Sequence, residues 1–120
     1  MREIEFRGKN SNNEWLYGYL TKQVGNDCYI IEGNDYFGGV IENTIGQYTG
    51  LKDKNGTKIF EGDILWDAIN EEYGVVEYFE NAFILVVDNV MYREIEDFEA
   101  REVAGNIYDN PELLNGGAQC

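Results

Sequence analysis

The sequence predicts a mainly β protein of antiparallel strands. It places a small SH3-like barrel in the C-terminal half, an N-terminal β-hairpin or sheet ahead of it, and few short helices. Three observations carry this expectation. Glycine is plentiful and proline scarce, at 14 and 1 residues, and β-branched and aromatic residues are frequent, which favours strands. Short apolar runs alternate with period two and are cut by Gly, Asn and Asp clusters. The chain has 120 residues with 43% hydrophobic and 14% aromatic content, enough for a buried core without disulfides or metals.

The elements follow in order. Residues 2–7 alternate, with Ile4 and Phe6 expected inward and Glu3, Glu5 and Arg7 outward. Gly8 to Asn13 is a polar turn, and Trp15 to Leu20 reads as the second strand of a hairpin. Gly25-Asn26-Asp27 makes another turn, and Cys28 to Ile31 a third short strand with Cys28 in the core. Gly33 to Gly39 reads as a loop, and Val40 to Tyr48 as irregular with room for a short strand. Lys52-Asp53-Lys54-Asn55-Gly56 is the clearest turn, because Asn-Gly tolerates positive φ at both central positions. Lys58 to Trp66 follows, interrupted at Gly62 and Asp63. Tyr73 to Phe79 and Ala82 to Val87 are strong strands joined by Glu80-Asn81. The second is apolar on both faces, which calls for a central strand or a covering partner. Residues 91–103 are ambiguous: Ile95 and Phe98 fit helical spacing and the charges suit an exposed helix, while Arg93, Ile95 and Asp97 fit a strand poorly. Val103 to Tyr108 is a final strand, Asn110-Pro111 opens a short helix, and residues 115–120 form a flexible tail. A boundary near residue 50 divides an N-terminal β segment (1–50) from the barrel (51–114).

Charge is unevenly spread. The formal net charge is −14. Residues 1–60 hold 8 acidic and 7 basic residues, a net of −1, while residues 61–120 hold 15 and 2, a net of −13. Phosphate contacts need Lys and Arg, so nucleic acid and anionic membrane surfaces are disfavoured partners. There is no histidine, which removes imidazole catalysis and ligation. Two cysteines are too few for a disulfide framework and are expected as free thiols. The N-terminus lacks a signal-peptide pattern and no apolar run approaches a membrane span, so a cytoplasmic protein is expected.

Catalytic motifs fail one by one. Gly33 to Gly38 has phosphate-loop glycine spacing, but Gly39 and Val40 stand where Lys and Ser or Thr are required. Asp53, Asn55 and Gly56 match part of a calcium loop that fails at Leu51 and Gly62. Glu61 with Asp63, Glu71 with Glu72, and Glu94 with Glu96 are acidic pairs of the kind that serve acid–base chemistry, yet 23 acidic residues bring such pairs together by chance. Ser11 has no histidine to activate it, and the nearby Lys9 sits in a loop expected to be mobile. No cofactor is implied. The nine tyrosines suit core packing and protein contacts.

Three stretches taken together resemble the YopX family of small phage and prophage proteins. They are Phe6-Arg7-Gly8 with Glu14 to Leu20, then Ile45 to Gly56 continued by Ile59 to Ile64, and finally Glu102 to Pro111. The resemblance implies a phage or prophage protein in a bacterial cytoplasm, with a mostly β fold. It brings no catalytic residue, since the family has no established activity.

The expected function is therefore that of a non-enzymatic accessory protein that binds another protein of host or phage, a basic one. Glu71, Glu72, Glu94, Glu96, Asp97 and Glu99 are the expected contact residues. Self-association is also expected, from the two-faced strand Ala82 to Val87. The alternatives are a nucleic-acid-binding small barrel and a Mg²⁺-dependent enzyme that uses acidic residues.

Overall fold

The computed structural model describes residues 4–115. The chain divides into two compact units at Gly50/Leu51.

The N-terminal unit contains β1 (Phe6–Lys9), β2 (Trp15–Lys22), β3 (Tyr29–Glu32), β4 (Phe37–Val40), a 3-10 turn at Glu42–Thr44 and most of β5 (Gly46–Lys52). The strands are antiparallel in the order β4-β3-β2-β1-β5. Ile31 is fully buried. Gly8 sits close to it, since a Cβ there would lie 3.0 Å from Val40 Cβ and 3.3 Å from Ile31 Cδ1. Gly18 is required more strictly: a Cβ would fall 2.0 Å from the Glu32 carbonyl oxygen.

Three expectations for this unit are corrected. Ile4 is 59% exposed, whereas Arg7 and Lys9 are buried. One cover for both is Trp15, opposite Lys9 in the ladder. Its ring receives Arg7 Cζ at 4.6 Å and Lys9 Nζ at 5.3 Å, so the long cationic stems are covered by an aromatic face. Lys9 Nζ also donates to Asn13 Oδ1 at 2.7 Å. Cys28 is exposed rather than core. It ends the turn before β3, where its backbone N–H donates to Asn26 Oδ1 at 3.0 Å and its carbonyl accepts from Gln23 N–H at 2.8 Å. The loop expected over 33–39 contains β4 instead. Gly33 N–H donates to the Tyr36 carbonyl at 2.8 Å, and Tyr36 Oη accepts from Tyr17 N–H at 3.2 Å. The glycines with phosphate-loop spacing thus belong to a β-hairpin.

The C-terminal unit contains β6 (Lys58–Phe60), β7 (Asp63–Asp67), β8 (Glu72–Phe79), β9 (Ala82–Val87), β10 (Val90–Tyr92), α1 (Ile95–Glu99), β11 (Glu102–Asn106) and α2 (Glu112–Asn115). Its five-stranded antiparallel sheet runs β10-β9-β8-β7-β11. Leu65, Val76, Leu85 and Val87 share its inner face and are buried with Ile59 and Phe98. The SH3-like barrel is not found, because the sheet does not close. Phe98 from α1 and Ile59 from β6 cover the inner face, the role that sheet closure plays in a barrel. Strand β9 is central, between β8 and β10, and Ile84 and Leu85, which point to opposite faces of the sheet, are both almost fully buried.

Short polar devices hold this unit together. Asp53 is buried in the turn before β6. Its Oδ1 accepts from Asn55 and Thr57 N–H at 2.9 and 2.8 Å, and its Oδ2 from Val103 N–H at 2.8 Å. In that turn only Gly56 has positive φ, at 85°, and Asn55 does not. The Asx bonds from Asp53 set a wider turn than the tight Asn-Gly hairpin expected. Asp63 Oδ2 accepts from Phe60 N–H at 2.7 Å. Asn106 Oδ1 accepts from Tyr108 and Asp109 N–H at 3.0 and 2.9 Å. Gly105 is needed beside that loop, because a Cβ would lie 2.4 Å from Asn110 Oδ1.

The ambiguous stretch resolves into three pieces. Tyr92 ends β10, Phe98 buries one face of α1, and Glu102 starts β11. The expected tail from Asn115 lies outside the described residues, apart from Asn115 itself, which ends α2. Among the described residues, no helix is long and apolar enough to cross a membrane.

Candidate functional site

The second face of the C-terminal sheet, where Ile64 and Ile84 are also buried, carries a cleft. Residues paired across antiparallel strands point to the same side. Trp66 pairs with Tyr73, and Val75 with Val86, so these four share the face opposite Leu65, Val76 and Leu85. The Trp66 and Tyr73 rings stand 4.7 Å apart at 48°. Leu113 and Leu114 of α2 form a further wall, and the cleft has a volume of about 630 Å³.

Two turns supply its polar rim. The first follows Asp67, whose Oδ1 accepts from Ile69 and Asn70 N–H at 2.9 and 3.3 Å while Oδ2 accepts from Asn70 Nδ2 at 2.9 Å. The chain then turns through Glu71 at φ 53° and brings Glu71 and Glu72 to the cleft. The second turn is Asp88-Asn89, with φ of 49° and 68°. It joins β9 to β10 and places both residues on the rim. Positive φ at two successive positions matches the twist of a two-residue hairpin.

The electrostatics are one-sided. Arg101 is buried at this end of the sheet. Its Nη2 lies 3.3 Å from Asp67 Oδ2 and 3.7 Å from Glu72 Oε2. Nη1 donates to the Asp97 carbonyl, and Cζ stands 5.9 Å from the Tyr92 ring centroid. The Asp67 carboxyl is held below its ordinary value by the Asn70 side-chain amide first. Burial opposes this, and the Asn70 and Ile69 N–H groups and the Arg101 charge reinforce it. Arg101 is thus committed to Asp67 and Glu72. Among the described residues, Glu71 and Asp88 have no ion pair or side-chain hydrogen bond. The cleft therefore presents uncompensated carboxylates above an aromatic and aliphatic floor. That combination suits a cationic group on an apolar stem.

The six expected contact residues separate into two places. Glu71 and Glu72 reach the cleft. Glu94, Glu96, Asp97 and Glu99 lie on or beside α1 and do not line it. Asp97 has a local task, since its Oδ2 accepts from Glu94 N–H at 3.0 Å and caps the helix. Glu96 and Glu99 are exposed on the helix surface. Arg101 links the two places, touching both Glu72 and the Asp97 carbonyl. Sequence reasoning missed Trp66, Tyr73, Asp88 and Arg101. Trp66-Asp67 and Glu72-Tyr73 are mirror-placed about the 68–71 turn, and reading that hairpin's register would have set the rings opposite each other. Asp63, one of the acidic pair members, is only 2% exposed and serves the backbone. Among the described residues, no group of three or more Cys, Asp or Glu side chains is placed to hold a metal ion.

Comparison with known proteins adds a family. Residues 2–115 match the family described as YopX protein. Among solved structures, the crystal structure of protein EF1440 from Enterococcus faecalis is similar, with 28% identity and a TM-score of 0.61. The match covers 95% of this chain and 99% of that one. No curated protein matches the chain.

Proposed function

The chain belongs to the YopX family, and from that premise we propose that it is a phage or prophage accessory protein without enzymatic activity. It acts in the bacterial cytoplasm by binding a basic partner protein. The observation that carries this reading is the cleft, where Glu71 and Asp88 stand without cationic partners beside the Trp66–Tyr73 pair. Acidic residues outnumber basic ones by 15 to 2 beyond residue 60, and that excess favours encounter with positively charged surfaces.

The test is an ionic-strength series with the full chain against a polybasic peptide and against single-stranded DNA and RNA. The peptide is expected to bind and to weaken as salt rises, because the attraction is screened over about 10 Å at 0.1 M. Nucleic-acid binding with a steep salt slope and no peptide binding would overturn the reading in favour of a nucleic-acid-binding module. Hydrolysis of a phosphodiester that requires Mg²⁺ and is lost on a carboxylate substitution would overturn it in favour of an enzyme.

A further inference from the structure

Resting on that reading, we propose that the cleft is a site for one arginine side chain of the partner. The guanidinium would lie against the Trp66–Tyr73 pair and between the Glu71 and Asp88 carboxylates. Its aliphatic stem would run over Val75 and Val86. Three observations converge on this ligand. The cleft is concave and floored by rings and branched aliphatic side chains, which accept an apolar stem. Its rim holds carboxylates without cations. A planar guanidinium both stacks on aromatic faces and donates to two carboxylates at once, whereas an ammonium is a point charge that is strongly hydrated. The chain also meets its own guanidinium groups with the same two chemistries. Arg101 sits between Asp67 and Glu72 near the Tyr92 ring, and Arg7 lies 4.6 Å over the Trp15 ring.

The test titrates the full chain with a capped Gly-Arg-Gly peptide, following the indole N–H signals by NMR. Counterpart peptides carry lysine or citrulline in place of arginine. The arginine peptide is expected to move the Trp66 signal and leave Trp15 unmoved. Citrulline keeps the shape and loses the charge, so it is expected to bind at least about tenfold more weakly, or about 1.4 kcal/mol. Glu71→Gln combined with Asp88→Asn is expected to weaken the arginine peptide by about the same factor. Both positions lie on exposed turns, and the dispersion of the spectrum verifies the fold. Trp66→Phe is a second variant that removes the reporting indole and leaves Trp15 as a control. Equal binding of the lysine or citrulline peptide, or a shift at Trp15 instead, would overturn the arginine site while a polybasic peptide still binds. Absence of binding by every cationic peptide would overturn both this inference and the docking reading beneath it.

Discussion

Replacing Asp53 with alanine tests how the C-terminal unit is tied together. The carboxylate is 7% exposed and accepts three backbone N–H bonds at 2.8–2.9 Å. A hydrogen bond to a charged group contributes about 1.5–3 kcal/mol. The Asn55 and Thr57 donors belong to exposed residues, where water can replace the lost acceptor. The Val103 donor is half-buried in β11, 50 positions along the chain, and its loss is the costly one. Asp53→Ala should therefore destabilise the protein by about 3 kcal/mol, and Asp53→Asn, which keeps one acceptor oxygen, by about half that. At a urea dependence of about 2 kcal/mol/M, the alanine variant's midpoint falls by about 1.5 M.

The effect has a pH signature. Burial raises the Asp53 carboxyl, but the N–H groups of Val103, Thr57, Asn55 and Gly56 together hold it below its ordinary value of 3.8. A group lowered in the folded state contributes fully above its unfolded value, and the contribution fades as pH falls through the folded one. The gap between wild type and Asp53→Ala should be constant near neutrality and narrow below pH 3.8. Urea unfolding followed by circular dichroism reads both quantities. A midpoint shift below about 0.3 M for the alanine variant, or a gap that widens in acid, would refute the reasoning.

Other substitutions probe the remaining contacts. Arg101→Ala leaves the buried Asp67 carboxylate without its cation and should cost about 3 kcal/mol or more in thermal unfolding. Arg101→Met, which removes the charge but retains a stem, should cost less than alanine if packing contributes. Gly18→Ala drives a Cβ to 2.0 Å from a backbone oxygen, so β2 and β3 must separate locally. Hydrogen exchange should then rise across Tyr19 to Lys22 and Tyr29 to Glu32, and unchanged protection would count against the close approach. Gly105→Ala meets the Asn110 side chain instead of backbone. Adding Asn110→Ala should restore part of the lost stability, as a double-mutant cycle measures.

Much of the fold was legible because it rests on local signals. Alternation and apolar runs bounded by Asn and Gly give strands at Trp15 to Leu20, Tyr73 to Phe79 and Ala82 to Val87, and the structure has Trp15–Lys22, Glu72–Phe79 and Ala82–Val87. The 91–103 stretch was not legible, since a strand end, one helical turn and a strand start are packed into thirteen positions. None is long enough to set a period, and Phe98 chooses helix only because the inner face of the sheet is there to receive it. The buried Arg7 and Lys9 could not be read from alternation either, because their cover comes from other segments, Trp15 on the next strand and, for Lys9, the 41–44 turn. Barrel closure was misjudged for a related reason: whether a sheet closes depends on what covers it, and Phe98 and Ile59 do so here. For the candidate site, Glu71 and Glu72 were visible as acids. The cleft became visible only when β7 and β8 paired and set Trp66 beside Tyr73.

The most direct measurement of the docking claim is a hydrogen-exchange footprint of the full chain with and without a saturating arginine-rich peptide. Protection is expected at Trp66, Glu71 to Val75 and Val86 to Asn89, with α1 unchanged. Protection confined to the α1 acids or to strands β1 to β4, with the cleft unaltered, would contradict the account.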